Sequence, residues 1–196
     1  IPTIISIWPT HGSIAGITTV TVNGTNFSKG FGWRCRFGAT TVYALYSNSE
    51  KVLCEAPTTS TAGVVNVTIS PNGQEYYSPI NYEYTTTPYV TGITPTTGPM
   101  DGNTSVTIQG SGFQDTSSLS YLYCQFGNQI VPGTLINSGN VACFTPPWRE
   151  GSVSVSLTLN DRDYAVSSVT YAYYQVPVVT SSYPDMSPGD GNWVVT

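Results

Sequence analysis

The stretch PTHGSIAGITTVTVNGTNF at residues 9–27 returns as PTTGPMDGNTSVTIQGSGF at residues 95–113. Pro9, Gly12, Gly16, Thr18, Val20, Val22, Gly24 and Phe27 become Pro95, Gly98, Gly102, Thr104, Val106, Ile108, Gly110 and Phe113, a constant shift of 86 residues that also carries Pro2 to Pro88. A fixed period of this kind marks a tandem array of one structural unit. Inside each copy apolar and polar residues alternate, Val20 and Val22 against Thr21 and Asn23, which is the period of a half-buried strand. The alternation resumes at Val65, Val67 and Ile69, and again at Val153, Val155 and Leu157. A third copy opens at Pro177, where Pro184 and Asp190-Gly191-Asn192 repeat Pro95 and Asp101-Gly102-Asn103 at a shift of 89. The expected organisation is one module over 1–86, a second over 87–175, and the start of a third, incomplete one over 176–196.

Turn chemistry separates the strands. Gly12, Gly16 and Gly24 punctuate the opening pair, while Pro71-Asn72-Gly73 and Asn160-Asp161 read as tips between the last strands of each module. No window carries a helical stripe, and 19 Gly with 14 Pro would interrupt one. The pattern predicts an all-β chain of tandem sandwiches, about seven short strands each, closed by Tyr82 with Tyr84 and by Tyr171 with Tyr173.

Cys35 and Cys54 are 19 residues apart, as are Cys124 and Cys143, and their contexts match: Cys-x-Phe-Gly first, Val-x-Cys-x-x-Pro second. One disulfide per module, Cys35–Cys54 and Cys124–Cys143, is the expected use, with buried free thiols as the alternative. Closing such a loop contributes about 3 kcal/mol in the chain-entropy model, a large share for a small domain. Paired cysteines also point to an oxidising compartment.

Charged residues are only 9% of the chain, against roughly 25% in an ordinary globular protein, while Ser and Thr supply 50 of 196 residues. Hydroxyls rather than charges keep this surface wet, which suits an extracellular or cell-surface setting. A net charge of −5 with six scattered basic residues argues against nucleic acid as a partner. No apolar run approaches the 18 residues of a membrane span, so no direct membrane insertion of this segment is expected.

The opening motif Pro-x-x-Gly-x-x-x-Gly-x-Thr-x-Val-x-Val-x-Gly-x-x-Phe, followed by the cysteine frame, resembles the IPT/TIG domain of plexins and related receptors. The resemblance implies immunoglobulin-like β-sandwiches and carries no catalytic site. It implies roles as stalks or ligand-binding modules of surface receptors, parts of large secreted proteins, accessory domains of polysaccharide enzymes, or dimerisation domains of transcription factors.

A catalytic site is not expected. His11 is the sole histidine and falls in a turn where the second module has Thr97, and disulfides would remove the strong nucleophiles and any tetrahedral zinc site. No cofactor or metal is expected: Asp161, Asp163, Asp185 and Asp190 match no calcium loop, and Asp161-Arg162-Asp163 reads as a solvated hairpin tip. Four Asn-x-Ser/Thr sequons, at Asn23, Asn26, Asn66 and Asn103, are candidate glycosylation sites, with N-linked glycans as expected partners. Asn23 and Asn66 take the outward phase of their strands; Asn26 and Asn103 fall in turns. Trp8, Trp33, Trp148 and Trp193 have no counterparts in the repeat, and Trp8 and Trp148 are the candidate contact residues.

Only Thr85-Thr86-Thr87 separate Tyr84 from Pro88, and only Tyr174-Gln175-Val176 separate Tyr173 from Pro177. Joints this short, stiffened by proline, predict a semi-rigid rod whose partners are neighbouring copies of the same kind of module. The leading expectation is a non-catalytic structural or adhesive repeat of a long, glycosylated extracellular protein, able to assemble into a fibre. The alternative is a stalk or ligand-binding segment of a receptor ectodomain.

Overall fold

The computed structural model describes residues 1–30, 32–114 and 121–181, so Pro184, Asp185, Asp190 and Trp193 lie outside the described residues. Every regular element described is a β-strand. In the first module β1 (Thr3–Trp8), β3 (Thr19–Thr25) and β6 (Lys51–Glu55) lie on one side, and β4 (Arg34–Phe37), β7 (Gly63–Ser70), β8 (Tyr77–Thr85) and β2 (His11–Ser13) on the other. β5 (Thr40–Asn48) belongs to both, pairing with β4 over Thr40–Tyr43 and with β6 from Ala44 onward.

The second module repeats the plan. β9 (Tyr89–Thr94), β11 (Ser105–Ser111) and β14 (Asn140–Phe144) face β12 (Tyr123–Phe126), β15 (Gly151–Thr158), β17 (Thr170–Tyr174) and β10 (Thr97–Pro99), with β13 (Gln129–Asn137) joining the two. A short β16 (Val166–Ser167) pairs parallel to β9. Among the described residues the modules thus have eight and nine strands where the pattern predicts about seven. β16 is extra in the second module, and both gain a strand because the opening strand breaks at Pro9 or Pro95. Its second piece, β2 or β10, crosses over and lies parallel to the closing strand, β8 or β17.

Alternation fixes which residues face inward. Val20 stands opposite Cys54 and Val106 opposite Cys143, while Cys35 stands opposite Ile69 and Cys124 opposite Leu157. All eight are buried, and the two disulfides, with Cα atoms 6.3 and 6.6 Å apart, tie one side of each sandwich to the other. Aromatic rings complete each core in the same edge-to-face geometry, Phe37 on Tyr82 at 5.3 Å and Phe126 on Tyr171 at 5.8 Å. Each module has its own apolar cluster.

The recurring glycines have steric reasons. A Cβ on Gly24 would strike the Thr3 carbonyl and the Phe27 ring, and one on Gly110 would strike the Tyr89 carbonyl and the Phe113 ring. Gly16 and Gly102 have φ of +75° and +72°, and backbone at Pro57 and Pro146 closes on them. Tyr84 and Tyr173, on the last strands, donate their hydroxyls to the Pro57 and Pro146 carbonyls, each at 2.9 Å.

Candidate functional site at the module joint

Two local structures meet where the modules touch. The first is β2, which the parallel pairing of Gly12 with Tyr84 and Ser13 with Thr85 holds against the end of β8. The second is the turn Thr158–Asp163, folded around one side chain. Asn160 Oδ1 accepts from the Thr158 hydroxyl and from the Arg162 and Asp163 amides, at 3.2, 3.0 and 2.8 Å. Asn is suited to this role because its short amide mimics a backbone turn.

These pieces interlock. The Leu159 carbonyl lies 2.8 Å from His11 Nε2, so Nε2 carries the proton and donates. Asn160 Nδ2 donates to the His11 carbonyl at 3.3 Å and to Asp163 Oδ2 at 3.0 Å. Thr18 Oγ1 donates to the same carboxylate oxygen at 2.5 Å, and Thr18 is fully buried. A hydrogen bond to an ionised acceptor away from water is among the stronger kinds. The linker adds a Ser13 to Thr87 hydroxyl pair at 2.6 Å, and Thr85 Oγ1 donates to the Gly12 carbonyl at 3.2 Å. The cleft left between His11, Thr85, Pro88 and Asp163 is about 20 Å³, room for roughly one water.

The tip read from sequence as solvated is therefore corrected in part. Asp161 and Arg162 are exposed, but Asn160 is buried and Asp163 half-buried, because the other module covers them. His11, set aside as a turn residue, is a buried joint residue. The signal for His11 lay in non-recurrence, since the second module has Thr97 in its place. Burial also pushes the Tyr82 hydroxyl above the usual tyrosine range, with the Tyr84 and Asp163 charges adding to it.

A second feature belongs to the first module alone. Leu45 stands opposite Leu53 on the outer side of the sheet, since their neighbours Ala44 and Cys54 form the adjacent pair with Cys54 inside. With Ile17 79%, Tyr43 77% and Leu45 68% exposed, this face carries an open apolar groove of about 640 Å³ that ends at Pro57 and Glu55. The Arg34 guanidinium stacks 3.7 Å over the Tyr43 ring. The second module has Asn103, Pro132 and Thr134 at the places of Ile17, Tyr43 and Leu45, so its face is not apolar in the same way.

The sequon asparagines sit on the outside. Asn26, Asn66 and Asn103 are exposed; Asn23 is half-buried beside Ser6 Oγ, 3.3 Å from its Nδ2. Asn26 and Asn103 have φ of 61° and 56°, the left-handed conformation that Asn tolerates in turns. Trp8 lies under the Arg162 guanidinium of the other module at 5.6 Å. Trp148 instead packs on its own module, its ring against Gly127. Trp33 is buried against Phe27, its Nε1 donating to the Ser28 carbonyl at 2.9 Å. Among the described residues no cluster of three His, Cys, Asp or Glu could hold a metal, and no helix is long and apolar enough to cross a membrane.

Two sandwiches with a split opening strand, a buried cysteine bridge and a Tyr hydroxyl on a proline carbonyl define a class of immunoglobulin-like module. The family model for the IPT/TIG domain matches residues 2–84 and again 88–173, and the chain belongs to that family. It is 27% identical to mouse fibrocystin-L over its whole length and 28% identical to human fibrocystin-L over 88% of it. It spans only 4% of the length of each of these relatives. Among solved structures it resembles the extracellular region of plexin A4, at 22% identity and a TM-score of 0.58, covering 94% of this chain and 16% of that one.

Proposed function

We propose that this chain is a non-catalytic, semi-rigid segment of an extracellular receptor-type protein, built as modules over 1–86 and 87–175 with a third begun at 176–196. The observation that carries the reading is the joint: three side-chain hydrogen bonds cross it, from Thr18, His11 and Asn160. A flexible linker would leave such groups to water. Family membership supports a receptor-type setting, and the disulfides support an oxidising compartment. The apolar face at Ile17, Tyr43 and Leu45 is then the contact for a protein ligand, and Asn23, Asn26, Asn66 and Asn103 are acceptors for glycans that keep the remaining surface solvated.

Backbone 15N relaxation on the whole chain tests the rod. Both modules share one rotational correlation time if the joint is fixed; two shorter, independent times would reject it. The ligand face is tested by the double substitution Tyr43→Ser with Leu45→Ser, which removes binding of the chain to cells that bear the ligand and leaves the melting temperature unchanged. The fibre reading rests on tandem repetition and sparse charge. Electron microscopy of native material separates it, a periodic filament favouring the fibre and dispersed particles the receptor segment.

A further inference from the structure

The joint between the modules is made of parts that both modules carry: a socket at the far end and a turn at the near end. The socket of the first module is Gly12, Thr18 and Tyr82. A Cβ on Gly12 would collide with both the Tyr82 hydroxyl and Thr18 Oγ1, so the two hydroxyls converge over this glycine. In the second module Gly98, Tyr171 and Thr104 reproduce the arrangement, with the Tyr171 hydroxyl and Thr104 Oγ1 closing over Gly98. β10 holds Gly98 against Tyr173 by the same parallel pairing that β2 uses to hold Gly12 against Tyr84.

What differs is occupancy. Thr18 is sealed by the Asp163 carboxylate, whereas Thr104 is half exposed and Thr97, in the place of His11, is exposed. The Tyr171 hydroxyl is buried with no hydrogen-bond partner among the described residues, as is the Tyr82 hydroxyl in the occupied joint. This end therefore repeats the preformed pair of hydroxyls, with Thr104 left open where Thr18 is covered.

The turn is also present twice. Asn72 Oδ1 accepts from the Ser70 hydroxyl and from the Gln74 and Glu75 amides at 3.0, 3.0 and 3.2 Å, which is the Asn160 pattern. Asn72 and Glu75 are exposed, while Asn160 is buried. The spacing matches as well. Four positions separate Tyr84 from Pro88 and four separate Tyr173 from Pro177, so a module opening at Pro177 enters at the same offset from the socket.

We infer that the far end of the second module, at Thr97, Gly98, Thr104 and Tyr171, is the docking site for the Asn-x-x-Asp or Asn-x-x-Glu turn of a further IPT/TIG module, whose carboxylate accepts a hydrogen bond from Thr104 Oγ1. The occupant is a neighbouring module of this fold. Continuity with the existing joint identifies it: same strand pairing, same hydroxyl pair, same linker length. This inference rests on the rod reading above and extends it from one joint to a repeating one.

The test is a three-module chain in which residues 1–176 are followed by a second copy of 88–175. The second module has its own core and its own disulfide, so the added copy folds as a unit. The expected result is one shared correlation time for all three modules and loss of that shared tumbling for the third module alone on Thr104→Val, with Thr104→Ser retaining it. In the two-module chain Thr104→Val leaves the relaxation unchanged, while Thr18→Val uncouples the modules. Independent tumbling of the third module beside rigidly coupled first and second modules overturns this inference and leaves the rod reading standing. So does a Thr104→Val chain that stays rigid. Uncoupled first and second modules would instead defeat the rod reading itself. Melting of the third module, followed in a chain whose second module has Trp148→Phe so that the added copy keeps its own tryptophan, distinguishes a lost joint from a lost fold.

Discussion

The two modules share most of their interior positions and differ on their outsides. Val20 and Val106, Phe37 and Phe126, Tyr82 and Tyr171, and both cysteine pairs occupy matching places with matching burial. Outside, Pro132 and Thr134 stand in the places of Tyr43 and Leu45, and Asn103 in the place of Ile17. The difference teaches that recurrence in this chain reports architecture, the parts of the joint included, and that what sets one module apart from the other lies on the outer faces. It also separates two kinds of buried polar residue. Tyr84 and Tyr173 are satisfied inside their own modules, whereas Thr18 is satisfied only by the next.

If the interiors are equivalent, removing either disulfide should cost the same. Replacing Cys35 and Cys54 together by Ala, or Cys124 and Cys143 together, is expected to lower the stability of the affected module by about 3 kcal/mol on chain-entropy grounds. Denaturant unfolding followed by tryptophan fluorescence measures it. Trp33 reports the first module from within its core and Trp148 the second from its margin. A cost confined to one module would break the equivalence.

The glycines probe the same point with a smaller effect. Gly24→Ala and Gly110→Ala each force a methyl against a backbone carbonyl and a phenylalanine ring, at Thr3 with Phe27 and at Tyr89 with Phe113. Carbonyl oxygens within a paired ladder cannot step aside, so each substitution is expected to cost about 2 kcal/mol, in the range for overpacking. Equal shifts in urea midpoint sustain the equivalence. A tolerated Gly24→Ala beside a damaging Gly110→Ala would show that the free outer edge of β1 yields where β9, covered by β16, does not.

The interior was legible from sequence because its constraints are local and periodic. Alternation places Val20, Val22, Val67 and Ile69 inside; spacing places the cysteines; and the recurring glycines mark steric closures against backbone and rings. The opening strand was harder, since its switch from β1 to β2 is set by pairing with Thr85, more than 70 residues away along the chain. The joint was harder still. Asp163 gives no sign in its own neighbourhood that it will accept from Thr18, because that partner lies on another module 145 residues earlier. A tip beside charged Asp161 and Arg162 reads as solvated, and only the docked arrangement reveals which of its side chains turn inward.

Breaking the joint is the next smaller effect. Asp163→Ala leaves the Thr18 hydroxyl without an acceptor in a buried position, a loss of about 1–3 kcal/mol in the coupling between modules. The expected readout is a first module that melts earlier while the second is unchanged. Glu75→Ala, at the equivalent position of the first module, should change neither, since Glu75 is exposed and its contact is with the Tyr77 hydroxyl at 2.7 Å. Equal responses to the two substitutions would mean that Asp163 acts within its own turn rather than across the joint.

The smallest expected difference is in alkaline titration, where Tyr84 and Tyr173 should contribute alike while the raised Tyr82 hydroxyl steepens the alkaline limb of the first module further. Burial pushes the hydroxyls of Tyr84 and Tyr173 up to about 12, from an ordinary value of 10.0. Between those two values the folded chain keeps protons that the unfolded chain releases. The contribution to stability is therefore fully present below about pH 10 and falls as pH rises toward 12. Ionisation also removes the donor to Pro57 or Pro146, so both modules should loosen over one pH window. Tyr84→Phe and Tyr173→Phe are each expected to flatten the alkaline limb of the stability curve for the module that carries the change, as read by urea midpoints from pH 9 to pH 12. Should Tyr84→Phe alone flatten it, the interior equivalence of the modules would hold for shape but not for proton affinity, and the position of Tyr84 beside the joint would be the place to look.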